Sequence, residues 1–477
     1  MNQETVKVPA RLTLSVVAAC LVSFCGLLTE TAVNIAFPAI MTDFQITTRT
    51  VQWLTTGNLL TIAMITPLSA FLQRRFRLRS LFVFSAVCFL VGSICAFLAP
   101  SFPLLLLGRI IHGVATGVGV PLAFCIMLEQ IPFQKLGTYI GFGALVSAAA
   151  PALGPTYGGV ITTAIGWKNI FSVLIPVLIF TLILGIATIR ENGEPKKVPV
   201  DIGGILMIMV TFFCLVYGFA NISMITVQPL SEILFLAVGV VFLFLFIRHC
   251  KGRENALINV EIFKNVAFDC HLAGFFLINL VMLGMMFLLP NYLQVALGLV
   301  SMIAGLMLLP GSVLNAVFGP ISGAALDKIG PRGPILTGLS LICLSVLLFV
   351  LFGTHLTPAL IVAFYVIFGS GCGIAFGNTM TTAMMRLPVE LKTYGNTALN
   401  TLMQFAGAVG TSVCAACVAF SQSGVEREDA SAFADATKVG STHGFLFLLV
   451  LAVVCILLQI YGFRYHAKMN RMELENR

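Results

Sequence analysis

Glu30 and Arg109 are charged residues set deep inside apolar stretches, Leu12 to Phe37 and Pro103 to Leu128. A lone charge costs on the order of several kcal/mol in hydrocarbon, so such residues are kept for work or for pairing. Counting inward at about 1.5 Å per residue, each sits roughly 10 Å below the same surface. An ion pair at that depth would offset much of the desolvation cost. A carboxyl whose distance from a guanidinium changes can also take up and release a proton. His112, one turn beyond Arg109, could tune the pair. The chemistry suggested is proton exchange coupled to motion; the alternatives are a purely structural ion pair and, for His112, a plain hydrogen-bond donor.

Uncharged polar residues recur nearby. Asn34 lies one turn beyond Glu30, and Asn396, Asn400 and Gln404 recur four apart on one helical face. Such side chains either hydrogen-bond between helices or line a wet cavity. Met282, Met285, Met286, Met380, Met384 and Met385 would suit an adaptable apolar pocket, or simply face lipid. Gly141, Pro151, Gly154, Pro155, Gly158 and Gly159 crowd one stretch, Leu136 to Ala164. Small residues let helices approach closely and prolines bend them, so this segment could pivot and seal, or merely pack tightly.

The elements that must position these residues are membrane spans. The chain has 477 residues, 58% hydrophobic and 10% charged, a balance no water-soluble globule has. A span needs roughly 20 apolar residues, and fourteen such stretches can be placed. With the N-terminus inside, 22 of the 27 Lys and Arg fall in inner segments, so the positive-inside rule puts both termini in the cytoplasm. The first stretch is long and holds Glu30, so it reads as a retained span, not a cleaved signal. The composition excludes a nucleic-acid binder and a disulfide-stapled secreted domain. The thirteen cysteines lie almost entirely in apolar stretches and imply packing, the lone Cys414-x-x-Cys417 included. Neither a phosphate-binding GxxxxGK[ST] loop nor an HExxH helix occurs. No cofactor, metal or enzymatic activity is expected, and the energy must come from a gradient, about 2.3 kcal/mol per charge per 100 mV.

One offset, 253 residues, aligns the two ends of the chain: Arg79 with Arg332, and the start of the first span with Val266. The expected architecture is an all-α integral membrane protein with a six-helix half at 1–189, a linker and two inserted helices at 190–265, and a second six-helix half at 266–477. The inner loop of the second half reads Gly323-Ala-Ala-Leu-Asp327-Lys328-Ile-Gly330-Pro-Arg332; its counterpart reads Ala70-Phe-Leu-Gln-Arg74-Arg75-Phe-Arg77-Leu-Arg79.

These segments resemble the major facilitator superfamily, specifically its fourteen-helix drug:proton antiporter branch, over nearly the whole chain. Gly323 to Arg332 matches the signature GxxxD(R/K)xGxR, Leu105 to Gly113 is similar to LxxxRxxQG, and Gly141 to Gly159 looks like the exporters' antiporter motif. The sequence also departs from the pattern. The first-span acid comes one place late, at Glu30; Arg74 stands where the signature has Asp, His112 where it has Gln, and Asn58 where it has Tyr. The resemblance implies a proton-coupled exporter of amphiphilic or cationic hydrophobic compounds working by alternating access. Its proton site would be Glu30, Arg109 and His112, and its substrate contacts Asn34, Asn58, Asn396, Asn400 and Gln404. The antiporter motif would form the gate with Arg74, Arg75, Arg79, Gly323, Asp327, Lys328, Gly330 and Arg332. Small molecules, protons and the lipid bilayer would be its partners, and a monomer in a bacterial cytoplasmic membrane is expected. Export of one metabolite or a lipid is the alternative within transport; a non-transporting receptor or scaffold is the alternative outside it.

Overall fold

The computed structural model describes residues 9–190, 201–221, 229–251, 260–388, 391–425 and 429–475, and among them no β-strand occurs. The expected linker at 190–200 lies, but for Arg190, outside these residues. The first group of helices is α1 (Ala10–Ile35), the short α2 (Phe37–Phe44) and α3 (Thr48–Val51), then α4 (Trp53–Arg75), α5 (Leu78–Phe97), α6 (Phe102–Gln130), α7 (Phe133–Ile165), α8 (Asn169–Ser172) and α9 (Leu174–Thr188). A pair follows, α10 (Ile202–Ala220) and α11 (Pro229–Cys250). The second group is α12 (Val266–Asn291), α13 (Ser301–Ile329), α14 (Arg332–Leu351), α15 (Pro358–Met385), α16 (Lys392–Gln422) and α17 (Ala430–Glu475).

Among the described residues, twelve helices are long and apolar enough to cross a membrane, and each coincides with one of the fourteen expected spans. The other two expected spans correspond to α4 and α7, helices of 23 and 33 residues that pack on α6 and α1 of the first group and on α16 and α13 of the second. The last helix departs most from expectation. It begins at Ala430, well before its apolar run at Gly444, because Asp429 accepts a bond from the Ala432 amide at 3.0 Å and Lys438 pairs with Asp435 at 2.7 Å, making the polar lead-in helical. Such first-turn caps and i,i+3 pairs supply the acceptors and charges that a helix N-terminus lacks.

Within each group the helices cross on glycine. A Cβ at Gly108 of α6 would lie 2.9 Å from the Gly92 carbonyl oxygen of α5, and one at Gly371 of α15 would meet the Gly338 carbonyl of α14 at 2.7 Å. Any larger residue would force these backbones apart. The same device recurs in both groups, at α5 with α6 and at α14 with α15.

Side-chain bonds fix which helix ends lie together. Ser15 donates to Gln130 at 2.9 Å and Arg11 to the Ala187 carbonyl at 3.0 Å, so α1 starts where α6 and α9 end. His271 meets Gln459 at 2.6 Å, joining the start of α12 to the final part of α17. Gln294, just past α12, donates to the Ile35 carbonyl at 2.9 Å. The first turn of α1 and the last of α17 therefore share one end of the bundle, here the terminal end, and the opposite end is the far end.

The inserted pair straddles a seam. Tyr217 of α10 packs its ring 5.9 Å from Trp53 of α4, Phe212 stacks 5.0 Å from Phe405 of α16, and Arg49 of α3 donates to Asn221. At the terminal end Asp201 and His249 close the pair with a 2.6 Å bond.

Candidate functional site

Glu30 lies on the most enclosed part of α1, where every residue from Cys25 to Ala36 is buried; Glu30 itself is 5% exposed and Arg109 of α6 is 0%. The acid's late position in the first span does not turn it to lipid. The two groups are close enough for Coulombic interaction yet form no direct ion pair. Arg109 is held instead by α4. Its Nε donates to the Leu54 carbonyl at 3.2 Å, while its own carbonyl accepts from Asn58 Nδ2 at 2.8 Å. Both Nη atoms of Arg109 and Oε2 of Glu30 are buried and make no hydrogen bond among the described residues. Buried polar atoms are ordinarily satisfied. The Glu30 carboxyl can take up a proton, and the Arg109 guanidinium can donate to trapped water, without dismantling any other bond.

His112 points elsewhere. Its ring stacks 4.4 Å from Phe89 and 5.7 Å from Phe171, and Nε2 lies 3.1 Å from the Ser93 hydroxyl. It belongs to the joint between α5 and α6. Asn34 accepts from Thr55 at 2.6 Å and is 2% exposed, as is Asn58, so both are committed to helix contacts in the first group. On α16, Asn396 is exposed and bonded by Asn400 at 3.1 Å, while Gln404 is 5% exposed further in. The stripe thus runs from the surface near the terminal end toward the interior.

The glycine-proline segment of α7 has two working faces. On one, Thr31 of α1 donates to the Pro151 carbonyl at 3.1 Å and Gly158 lies against the Ala32 carbonyl. A Cβ at Gly154 would lie 2.9 Å from the Leu28 carbonyl. On the other face α7 meets α13: Thr156 donates to the Gly305 carbonyl at 3.2 Å, Thr163 accepts from the Met302 amide at 3.0 Å, and Gly159 abuts the Ser301 carbonyl. Thr56 and Ser412 meet at 3.0 Å and Thr48 donates to Gln422 at 2.8 Å, joining α4 and α3 to α16. Among the described residues, these hydrogen bonds between the two groups lie at the far end. Toward the terminal end a Cβ at Gly323 of α13 would meet nothing within 4 Å. Lys328 and Arg332 are exposed there, with Gly330 turning the chain at φ +80, and Arg75 and Arg79 are exposed in the matching loop. The side chains of Arg74 and Asp327, and the surroundings of Gly141, lie outside the described residues.

Sequence reasoning singled out the charges but not Thr31, Thr55 or Thr56, whose hydroxyls tie α1, α4, α7 and α16 together. One signal was available: Pro155 has no N–H, so the carbonyl four residues earlier, Pro151, needs a donor from outside the helix.

The family model described as the Major Facilitator Superfamily matches residues 19–411. The chain belongs to the major facilitator superfamily. Among superfamily members, it is 34% identical over 441 residues to the lincomycin resistance protein LmrB of Bacillus subtilis (strain 168), covering 91% of this chain and 92% of that one. It is 28% identical to the tetracenomycin C resistance and export protein of Streptomyces glaucescens, over 81% of this chain and 72% of that one. In fold it is similar to the inward-facing, unoccupied structure of a bacterial homolog of the human lysosomal transporter Spinster, with a TM-score of 0.68 at 14% identity, covering 96% of this chain and 98% of that one. The chain is thus a multi-pass membrane transporter of this superfamily.

Proposed function

We propose that this chain is a fourteen-span, proton-coupled antiporter that exports amphiphilic or cationic hydrophobic compounds, with both termini in the cytoplasm of a bacterium. In this reading α4 and α7 are the two remaining spans, the far end is extracellular, and the arrangement described above is the inward-open state. The observation that carries it is Glu30: a carboxyl 5% exposed, inside an apolar helix, beside a guanidinium that does not pair with it directly. A carboxyl kept at such cost without a structural partner is suited to changing its protonation.

The cycle follows from the geometry. With the terminal end open, cargo reaches the α16 stripe, where Asn396, Asn400 and Gln404 supply uncharged polar contacts while apolar walls take its body. Glu30 releases its proton to the cytoplasm as cargo binds. The carboxylate is then drawn toward Arg109, which supports closure at the terminal end and opening at the far seam. A proton from outside reloads Glu30 once cargo leaves, and the cycle returns. Each state favours one ligand, which is what exchange requires.

The test is a proteoliposome assay with an imposed pH gradient, following protons and cargo together. Lincomycin and a cationic dye are the first cargoes to try, given the resistance relatives. Wild-type protein should show coupled counterflow and Glu30→Gln should abolish it; undiminished exchange in Glu30→Gln would remove the acid from the mechanism.

A further inference from the structure

We propose that Thr31 is the positioning residue that passes the state of Glu30 to α7, through the Pro151 carbonyl that Pro155 leaves without a partner. The inference rests on the proton-coupled reading and names the part that converts protonation into movement of the far seam.

In a regular helix the Pro151 carbonyl would accept the amide of residue 155. Proline there removes that donor, and an unsatisfied carbonyl in a water-poor interior costs on the order of 1–3 kcal/mol. The donor comes from α1, as Thr31 Oγ1 lies 3.1 Å from it. Gly154 makes the bond possible, since a Cβ at that position would occupy the place of the Thr31 hydroxyl. Pro151, Gly154 and Pro155 are therefore three parts of one socket: a carbonyl, a space and a missing amide.

Thr31 is chain neighbour to Glu30 on a rigid helix, so any displacement of α1 toward or away from Arg109 is felt at the socket. The hydroxyl also has somewhere else to go. It already lies 3.4 Å from the Leu28 carbonyl of its own helix, so it can release Pro151 and stay satisfied. That gives the bond two discrete arrangements, which is the physical requirement for a coupling element. What moves is α7, whose opposite face carries Thr156 and Gly159 against Gly305 and Ser301 of α13. The segment thus works as a beam with the proton site on one side and the far seam on the other.

The experiment compares four reconstituted proteins, the variants Glu30→Gln, Thr31→Val, Thr31→Ser and Thr31→Val with Pro155→Ala, with the wild type. Substrate-driven proton flux, substrate-free proton leak, dye affinity and thermal stability are measured. Thr31→Val keeps the shape and loses the hydroxyl; it should bind dye within about twofold of wild type but lose roughly tenfold in substrate-driven proton flux, the scale of one hydrogen bond. Thr31→Ser should restore coupling. Adding Pro155→Ala returns an amide to the Pro151 carbonyl, so stability should recover while coupling stays lost, which separates transmission from simple satisfaction of a buried group. If Thr31→Val destabilises the protein too far to assay, the double variant gives the same answer. Wild-type coupling in either Val-containing protein, with Glu30→Gln uncoupled, overturns this inference alone. Wild-type coupling in Glu30→Gln overturns the assignment of Glu30 as the proton site, the reading beneath it.

Discussion

At the scale of single residues, the Arg109 guanidinium is fully buried, held by one bond to a backbone carbonyl and otherwise unspent among the described residues. Arg109→Lys keeps the charge but not the fork. We expect it to retain partial transport and Arg109→Ala to lose at least about tenfold, measured as initial rates in vesicles; equal rates in all three would mean that the charge is dispensable. Asn58 is a different matter. Its amide is committed to the Arg109 carbonyl, so Asn58→Ala should lower stability by about 1 kcal/mol, read as a fall in Tm, with substrate affinity little changed. A large affinity loss at unchanged Tm would return Asn58 to the substrate contacts. His112, packed between two phenylalanine rings, should be replaceable by Gln without moving the pH profile of exchange, whereas Glu30→Gln should flatten that profile. Glu30 and Arg109 were legible in the sequence because charges in apolar stretches are rare and conspicuous. Thr31 was not, because hydroxyls are common in such helices and its partner is a backbone atom 120 residues away.

At the scale of elements, helix length and apolarity were readable almost everywhere, since a membrane leaves the backbone few alternatives to the helix. The polar lead-in of α17 escaped notice because its helicity depends on a cap and a charge pair, not on hydrophobicity. The packing of α7 on α13 was also invisible, being set by carbonyls meeting glycine. That packing makes a sharp prediction. Gly159→Val and Gly305→Val should each force the far seam apart. A cysteine pair placed at Thr56 and Ser412, whose hydroxyls meet at 3.0 Å, should cross-link at least about fivefold more slowly in those backgrounds. Undiminished cross-linking would show that the seam closes without this contact.

At the scale of the whole molecule, the first and second groups of helices are joined, among the described residues, by hydrogen bonds at the far end; the 253-residue offset predicts two six-helix halves, a division that we propose. The role of α10 and α11 was not legible, because their apolar faces announce only that they lie in a membrane. The structure sets α10 across α4 and α16, touching both groups at once through Tyr217, Phe212 and Asn221. Such a crossing contact resists the far-end separation that alternating access requires. Asn221→Ala, which removes the acceptor for Arg49, should therefore raise the fraction of molecules open at the far end by several-fold, detected as slower Thr56–Ser412 cross-linking. Leu206→Ala on the exposed side of the same helix should leave it unchanged.

Two seams join the groups, one between α4 and α16 and one between α7 and α13. Among the described residues α10 lies across the first, resting on α4 and α16 alike, so the molecule is lopsided toward the oily phase around it. In the proposed export cycle, a greasy compound dissolved in the bilayer would meet that flank shuttered.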